Sequence, residues 1–355
     1  MNNQINQELF FNLSYSDLEK TIATWNEPSF RVQQIWQGVY QKFWNEPDQF
    51  SSLPKLFREK LFTYFKFSSL SPIKVISSQD KETQKTLFSL EDNYAIEAVL
   101  MKYDQRRTLC ISTQAGCAMG CVFCATGQMG FKRHLQSGEI IEQVLYYARE
   151  LAKSEEKVTN IVLMGMGEPF HNYDATLKAI DLLNDQRGFG LGARRFTIST
   201  VGLVPMIRKF ADEDRQINLA ISLHATTNEE RSSLIPINKK YSIEQIMEAV
   251  RYYVEKTNRR VTFEWALIAG KNDSESTARQ LAHLLRGILC HVNVIPLNPT
   301  SQSIYQPSSK EQTKLFQQIL EQFGIPCTIR IRRGIDIQAG CGQLAVKMTD
   351  PSTMI

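Results

Sequence analysis

The chain has 355 residues, of which 43% are hydrophobic and 22% charged, and these proportions exclude an intrinsically disordered protein. Its formal net charge of +4 comes from 41 basic and 37 acidic side chains, and so small an excess neither requires nor excludes a nucleic-acid partner. The polar start MNNQINQELF is unlike a signal peptide, and no apolar run reaches the roughly 18 residues of a membrane span. We therefore expect a cytoplasmic protein.

The first third of the chain predicts two structural units. In residues 1–72, apolar side chains recur at helical spacing, as in SFRVQQIWQGVYQKFW, which predicts a helical accessory domain. We expect its aromatic residues Trp36, Tyr40 and Trp44 to lie in a core. Residues 73–107 contain short β-rich segments separated by the turns DKET and EDN, and predict a small β extension.

Residues 108–346 alternate short apolar segments with amphipathic helices, which predicts βαβ units and a parallel sheet. The first strand is not followed by the glycine-rich GxGxxG turn of a dinucleotide-binding fold. The pattern favours an α/β fold with a full or partial (βα) barrel, whose active site lies at the C-terminal ends of its strands. The predicted strands are TLCIST, TNIVLMG, RFTIST, INLAISLHA, VTFEWALI, HVNVIPLN and CTIRI.

A cluster of three cysteines follows the first predicted barrel strand. Cys117, Cys121 and Cys124 form the spacing C-x3-C-x2-C within a glycine-containing loop. Thiolates are the usual ligands of a [4Fe–4S] cluster, and three of them leave one iron free to bind the amino and carboxylate groups of S-adenosylmethionine (SAM). The alternatives are a zinc site that adds His134, or three unliganded buried cysteines. The spacing favours the iron–sulfur cluster, because zinc cysteines usually occur in pairs.

Several longer motifs occur in a fixed order along almost the whole chain: ISTQAGCAMGCVFCATG, GMGEP (165–169), STVG (199–202), SLHA (222–225), PIN (236–238), NPT (298–300) and GIDIQAGCGQL (334–344). Together they resemble the bacterial radical SAM adenine-C2 methyltransferases, which act on 23S ribosomal RNA and on tRNA. The resemblance implies a partial (βα)6 radical SAM barrel over residues 108–346. Gly340 departs from the alanine expected beside the last cysteine.

A related branch methylates C8 of adenine and confers antibiotic resistance, and it shares the cluster, the SAM motifs and the cysteine pair. Three segments favour the C2 branch, namely GMGEPFHN, TFEWAL and IRRGIDI. A third hypothesis, from a different class, is an RNA-binding protein with a structural metal site. That hypothesis gives no role to GMGEP, SLHA or the terminal cysteine.

The resemblance also assigns the SAM site. It places Gly167 and Glu168 at the amino group of SAM, where a carboxylate is a sensible acceptor. Further SAM ligands implied by it are Ser199, Ser222, Leu223, His224 and Asn298. From the residues alone, GMGEP could be an ordinary glycine turn, and Ser199 could only cap the following helix.

Two further cysteines are implied to carry the methyl transfer. The resemblance implies that one SAM methylates Cys341, and that a 5′-deoxyadenosyl radical from a second SAM removes a hydrogen atom from that methyl group. The resulting radical adds to C2 of adenine, after which Cys110 removes the C2 proton and a transient Cys110–Cys341 disulfide forms. Glu97 aligns with a carboxylate assigned as proton acceptor, although a strand-face glutamate is usually solvated. We expect Cys290 and Cys327 to be inert.

The resemblance implies RNA partners that the composition does not reveal. These are 23S rRNA in its peptidyl-transferase region, before ribosome assembly is complete, and tRNA at the base 3′ of the anticodon. The helical residues 1–72 would help to hold this RNA, and flavodoxin or ferredoxin would supply electrons to a monomeric enzyme. Short basic clusters are scattered through the chain: Arg106–Arg107, Lys132–Arg133, Arg194–Arg195, Arg259–Arg260 and the trio Arg330, Arg332 and Arg333. We expect several of them to flank the mouth of the barrel.

Overall fold

The computed structural model describes residues 7–300 and 304–346. The first part of the chain contains the predicted helices. Trp36 and Tyr40 lie on the buried face of one helix. Ser14 caps the first helix, because its hydroxyl accepts a hydrogen bond from the Asp17 backbone N–H at 3.1 Å. Trp44 is half-buried against Phe50. The elements are β1 (Glu8–Leu9), α1 (Tyr15–Thr24), α2 (Phe30–Tyr40), α3 (Lys55–Tyr64) and β2 (Phe65–Lys66).

A ten-stranded sheet dominates the rest of the structure. Its antiparallel part confirms the predicted β extension and consists of β3 (Leu70–Ser77), β4 (Thr83–Leu90) and β5 (Ala95–Tyr103), which pairs with β6 (Arg106–Cys110). A separate two-stranded ribbon, β7 (Gln114–Gly116) and β8 (Phe131–His134), encloses the short helix α4 (Ala125–Gln128).

The parallel part of the sheet confirms all seven predicted strands. From β6 onward the elements are α5 (Ser137–Ala152), β9 (Asn160–Leu163), α6 (Tyr173–Asn184), β10 (Phe196–Thr200), α7 (Val204–Asp212), β11 (Asn218–Ser222), α8 (Asn228–Leu234), α9 (Ile243–Thr257), β12 (Val261–Leu267), α10 (Glu275–Leu285), β13 (Cys290–Pro296), α11 (Lys310–Gln322) and β14 (Cys327–Ile329). The strand order is β14-β13-β12-β11-β10-β9-β6-β5-β4-β3. Among the described residues the edge strands β14 and β3 do not pair, so the barrel is partial.

The C-terminal segment returns across the C-terminal ends of the strands. The Ala125 N–H donates to Gly342 O at 2.7 Å, and the Thr126 hydroxyl donates to Leu344 O at 2.6 Å. These bonds join the segment that contains Cys341 to the cysteine loop, although some 200 residues separate the two in sequence. None of the helices described is both long and apolar enough to cross a membrane.

Candidate active site

The three-cysteine loop is held at both ends by the β7–β8 ribbon. The Cys117 N–H donates to Gly130 O at 3.0 Å, and a Cβ atom at Gly116 would overlap that same oxygen. Cys117 and Cys121 are buried, whereas Cys124 is half-buried. Burial raises the pKa of the Cys117 thiol to about 12, so a thiolate there requires a positive partner such as iron.

The donor set fits a [4Fe–4S] cluster better than a zinc ion. Among the described residues, no three His, Cys, Asp or Glu side chains lie close enough together to bind a single metal ion. A [4Fe–4S] cluster does not require this, because each of the three cysteines binds a different iron. His134, the fourth zinc ligand that we considered, instead has its Nδ1 3.0 Å from Gln114 Nε2 and its ring against His171. The cysteines could therefore hold three irons of a cluster.

We expect anaerobic reconstitution to give about four irons per chain, with broad visible absorption that dithionite bleaches. Changing Cys117, Cys121 or Cys124 to Ala should abolish this iron binding. Cys290→Ala and Cys327→Ala are matched controls, because both residues are buried in strands away from the loop. Iron analysis gives the answer, and loss of iron from a folded Cys290→Ala variant would show that the ligands are misassigned.

One cavity adjoins the three-cysteine loop and the C-terminal halves of five parallel strands, β9 to β13. It brings together nearly all the predicted SAM ligands with two of the predicted cluster cysteines and the predicted methyl carrier. These residues are Cys121, Cys124, Gly167, Glu168, Ser199, Ser222, His224, Asn298 and Cys341. Leu223 is not among its lining residues: its side chain is fully buried and its carbonyl accepts from Arg231 Nε at 3.0 Å.

Glu168 is presented to this cavity by a glycine turn. Gly167 has a φ of +103°, and a Cβ there would lie 2.6 Å from Gln114 Cβ, so only glycine fits. The Glu168 side chain is buried, with Oε1 accepting from Phe170 N at 3.0 Å and Oε2 from Val201 N at 2.9 Å. Burial raises its pKa to about 7. An ammonium group would complete this environment by favouring the carboxylate.

Glu168→Gln should weaken SAM binding by about tenfold or more while leaving the iron content unchanged, because a charge-assisted hydrogen bond contributes about 1.5–3 kcal/mol. Glu142→Gln is the matched control: Glu142 is also buried, but it accepts from Ser68 and Ser69 away from the cavity. Calorimetric titration of each reconstituted variant with SAM measures the two affinities. Unchanged SAM affinity in Glu168→Gln would show that the GMGEP loop is only a turn.

The remaining polar side chains that are predicted to bind SAM lie at strand ends, as the barrel prediction requires. Ser199 Oγ and Ser222 Oγ are 3.4 Å apart on neighbouring strands β10 and β11. Burial lowers the pKa of His224 to about 3, so its ring is neutral. Its Nδ1 accepts from the Ala266 N–H at 2.9 Å, which leaves the proton on Nε2 as a donor. Among the described residues the buried Asn298 Oδ1 has no hydrogen-bond partner, so it could accept a hydrogen bond from SAM.

Cys110 and Cys341 line a second, adjoining cavity together with Arg330. The Arg330 Nη1 atom lies 4.0 Å from Cys341 Sγ and 3.8 Å from Glu264 Oε2. Burial raises the pKa of the Cys110 thiol to about 12, and the Arg330 guanidinium acts to lower it. Cys341 lines both cavities, together with Met164, Ile295 and Asn298, so it lies between the predicted SAM site and Cys110.

Comparison with known proteins identifies the family. The family model described as the Radical SAM superfamily matches residues 111–281. A protein of Myxococcus xanthus named dual-specificity RNA methyltransferase RlmN 1 is 47% identical over 335 residues, covering 94% of this chain and 93% of the relative. A probable RlmN of Geobacillus thermodenitrificans is 46% identical over 337 residues, covering 95% of this chain and 92% of the relative. The chain belongs to the RlmN family of radical SAM methyltransferases.

The family fold is also found among solved structures. A radical SAM methyltransferase from Sphaerobacter thermophilus superposes with a TM-score of 0.93 at 47% identity, covering 95% of this chain and 99% of that one. The open parallel sheet, the helical N-terminal region and the antiparallel β extension are therefore the radical SAM fold of this RlmN family member.

Glu97 is placed differently from the other predicted RlmN site residues. It is buried and lines neither of the two cavities, so it is not a solvated strand-face residue. Its Oε1 pairs with Lys85 Nζ at 3.0 Å, and its Oε2 accepts from the Ala345 N–H at 3.0 Å. In this structure Glu97 anchors the segment that follows Cys341, and its role as proton acceptor stays a prediction from the resemblance.

Three of the five basic clusters do not flank the end of the barrel at which we expected several of them. Arg106–Arg107, Arg194–Arg195 and Arg259–Arg260 lie at the N-terminal ends of β6, β10 and β12, opposite the end that carries the SAM cavity. The reason is connectivity, since residues directly before a parallel strand lie at its N-terminal edge.

Sequence reasoning also missed Glu264 and gave Arg330 only as part of a basic cluster. The alternation of side chains along β12 could have placed Glu264 in the barrel.

Proposed function

We propose that this chain methylates C2 of an adenine in RNA, with Cys341 as methyl carrier and Cys110 as the second thiol. The observation that carries the proposal is the position of Cys341 between the two cavities, one lined by Glu168 and the other by Cys110. The relatives' name, dual-specificity RNA methyltransferase, supports RNA as the substrate. We infer 23S rRNA and tRNA as its two classes of target.

The chain's own residues prepare the first half of this reaction. Cys117, Cys121 and Cys124 would hold the cluster, and Glu168 would orient SAM through its ammonium group. When bound, the cluster and two SAM molecules per turnover supply the methyl group and remove one hydrogen atom from it. Cys341 would hold the former methyl carbon until that carbon has bonded to the base. The Arg330 guanidinium lies 4.0 Å from the Cys341 sulfur.

The second half of the reaction requires both cysteines. The methylene radical carbon on Cys341 bonds to C2 of adenine, and the resulting adduct must give up one electron, which the cluster would accept. Cys110, as a thiolate, then removes the C2 proton. The Cys110 thiol then loses its proton, and its sulfur attacks the Cys341 sulfur, which breaks the bond to the former methyl carbon. That carbon stays on the base with the electron pair of the broken bond and takes up one proton to form the methyl group. A Cys110–Cys341 disulfide results, and a reductant must restore the thiols. Such a disulfide suits a reducing compartment because it is catalytic and transient.

The wider assignments are also part of the proposal. Residues 1–72 would form an accessory domain that helps to bind RNA, residues 73–107 the β extension, and residues 108–346 the catalytic barrel. A monomer that receives electrons from flavodoxin or ferredoxin in the cytoplasm is consistent with this arrangement.

Anaerobic incubation with SAM, a reductant and RNA tests the function. We expect 5′-deoxyadenosine, S-adenosylhomocysteine and one methylated adenosine, with mass spectrometry and NMR of the nucleoside locating the methyl group at C2. A methyl group at C8 would assign the chain to the antibiotic-resistance branch. RNA binding without SAM cleavage by the reconstituted protein would instead support an RNA-binding protein with a structural metal site.

A further inference from the structure

The interior of the partial barrel is polar and open at the N-terminal ends of its strands. Asn160, Thr197, Asn218, Thr262 and His291, on five neighbouring strands, line one large cavity there. In closed (βα) barrels, branched apolar side chains fill this space. An interior that is polar and unfilled is suited to admit a polar ligand.

Four arginines surround the mouth of this cavity. Arg106 begins β6, Arg194 lies two residues before β10, and Arg259 and Arg260 directly precede β12. Among the described residues that line the cavity, the one carboxylate is Glu264, which already faces Arg330 at 3.8 Å. The mouth therefore has a positive charge that its own lining does not balance, which favours an anionic ligand.

Two of these arginines are held by neutral side chains. Arg194 Nη2 and Arg259 Nη1 both donate to Gln216 Oε1, at 3.2 Å and 2.9 Å, and Arg259 Nη2 donates to Asn218 Oδ1 at 3.0 Å. Amide oxygens orient the guanidinium groups without neutralising them. The two groups are thus fixed in place with their charge available.

Other arginines of the predicted basic clusters are neutralised within the chain. Arg107 forms an ion pair with Glu156, and Arg133 binds Glu139 through two parallel hydrogen bonds of 2.8 Å. This contrast separates arginines that stabilise the fold from those at the cavity mouth.

The cavity leads to the reactive cysteines. It shares Tyr103, Met164 and Arg330 with the cavity that contains Cys110 and Cys341. A strand rise of about 3.3 Å per residue puts the start of β6 at Arg106 about 13 Å from Cys110. One extruded nucleotide can span this depth, with a phosphate at the mouth and its base beside the sulfurs.

We propose that RNA enters the barrel from the N-terminal ends of the strands, with backbone phosphates at Arg106, Arg194, Arg259 and Arg260. The target adenine passes through the polar interior to Cys341, while SAM occupies the cavity on the cluster side. This inference rests on the proposed function and adds the route of its substrate. Entry from opposite ends explains how one sulfur accepts a methyl group from SAM and delivers it to a base.

The test is a double variant, Arg194→Gln with Arg259→Gln, and the probe is an RNA stem–loop with an unpaired adenine in its loop. We expect about tenfold weaker binding or more, and a salt dependence whose logarithmic slope falls by about two, because two phosphate contacts are lost. The matched control is Arg208→Gln with Lys209→Gln on α7, which makes the same charge change on exposed side chains and should leave binding unchanged.

A second variant blocks the route sterically. Thr262→Trp should abolish RNA methylation, while methylation of Cys341 by SAM without RNA, followed by mass spectrometry of the protein, shows that the SAM side is intact. Wild-type affinity and salt slope in the arginine double variant, or an equal loss in the α7 control, would overturn the proposed route. Absence of Cys341 methylation in the wild type would refute the proposed function instead, and the binding comparison would still decide the route.

Discussion

Cys110→Ala should trap the enzyme covalently on its RNA. The variant retains Cys341 and the SAM cavity, so a methyl group is loaded and its carbon bonds to the base. Without the Cys110 thiol, no group removes the C2 proton or attacks the Cys341 sulfur, and the adduct cannot resolve. RNA methylation should fall below detection, and a denaturing gel should show a protein–RNA species. Mass spectrometry after nuclease digestion should place a nucleotide on Cys341.

Cys341→Ala gives the contrasting outcome, because it removes the carrier. Neither protein methylation nor RNA methylation should occur, no adduct should form, and the iron content should match the wild type. Cys327→Ala is the control for replacement of a buried barrel cysteine and should behave as the wild type. Normal turnover by Cys110→Ala, or identical behaviour of the two active-site variants without an adduct, would contradict the two-cysteine mechanism.

The sequence was sufficient for the fold and for most of the site, because both are encoded in local patterns. Each predicted barrel strand is a short apolar run, and polar residues such as Ser222 and His224 lie at the C-terminal end of one. Strand-end residues of a parallel sheet meet at one edge, so their convergence on one cavity follows from topology alone. The N-terminal aromatic residues Trp36 and Tyr40 were predictable in the same way, from helical periodicity.

What the sequence did not reveal depends on contacts between distant segments. Arg330 and Glu264 lie 66 positions apart, and only the pairing of β12, β13 and β14 brings them to the same cysteine. Glu97 shows the same limit, since its partners Lys85 and Ala345 come from another strand and from the C-terminal segment. The sequence also did not show that three arginine pairs lie at the N-terminal ends of β6, β10 and β12, because the spacing of charges does not say which end of a strand a residue occupies.

Arg231 is a further residue whose structural role is visible only in the structure. Its guanidinium is fully buried and donates to the carbonyl oxygens of Leu223, Val201 and Ser222 at 3.0, 2.6 and 3.1 Å, and to Asn238 Oδ1 at 3.0 Å. These acceptors connect the ends of β10 and β11, which carry predicted SAM ligands. All four are neutral oxygens, so the positive charge is balanced by none of its hydrogen-bond partners.

The missing negative charge is expected from the cluster cysteines. Burial lowers the pKa of Arg231 to about 10, whereas a thiolate at Cys121 acts to raise it. A cluster ligated by Cys117, Cys121 and Cys124 would place thiolate charge near the guanidinium. Arg231 would then stabilise the more negative, reduced cluster, since the net charge around a cluster sets its reduction potential.

Arg231→Met should therefore have two separable effects. Leaving the four acceptors without a buried donor should lower the free energy of unfolding by about 3–5 kcal/mol. Removing the charge should shift the reduction potential of the reconstituted cluster to a more negative value. Arg231→Lys keeps the charge but not the fork of donors, so it should lose stability with a smaller shift in potential. Thermal unfolding and redox titration measure the two effects, with exposed Arg208→Met as control. Equal potentials in the wild type, Met and Lys variants would show that Arg231 only holds the loops together.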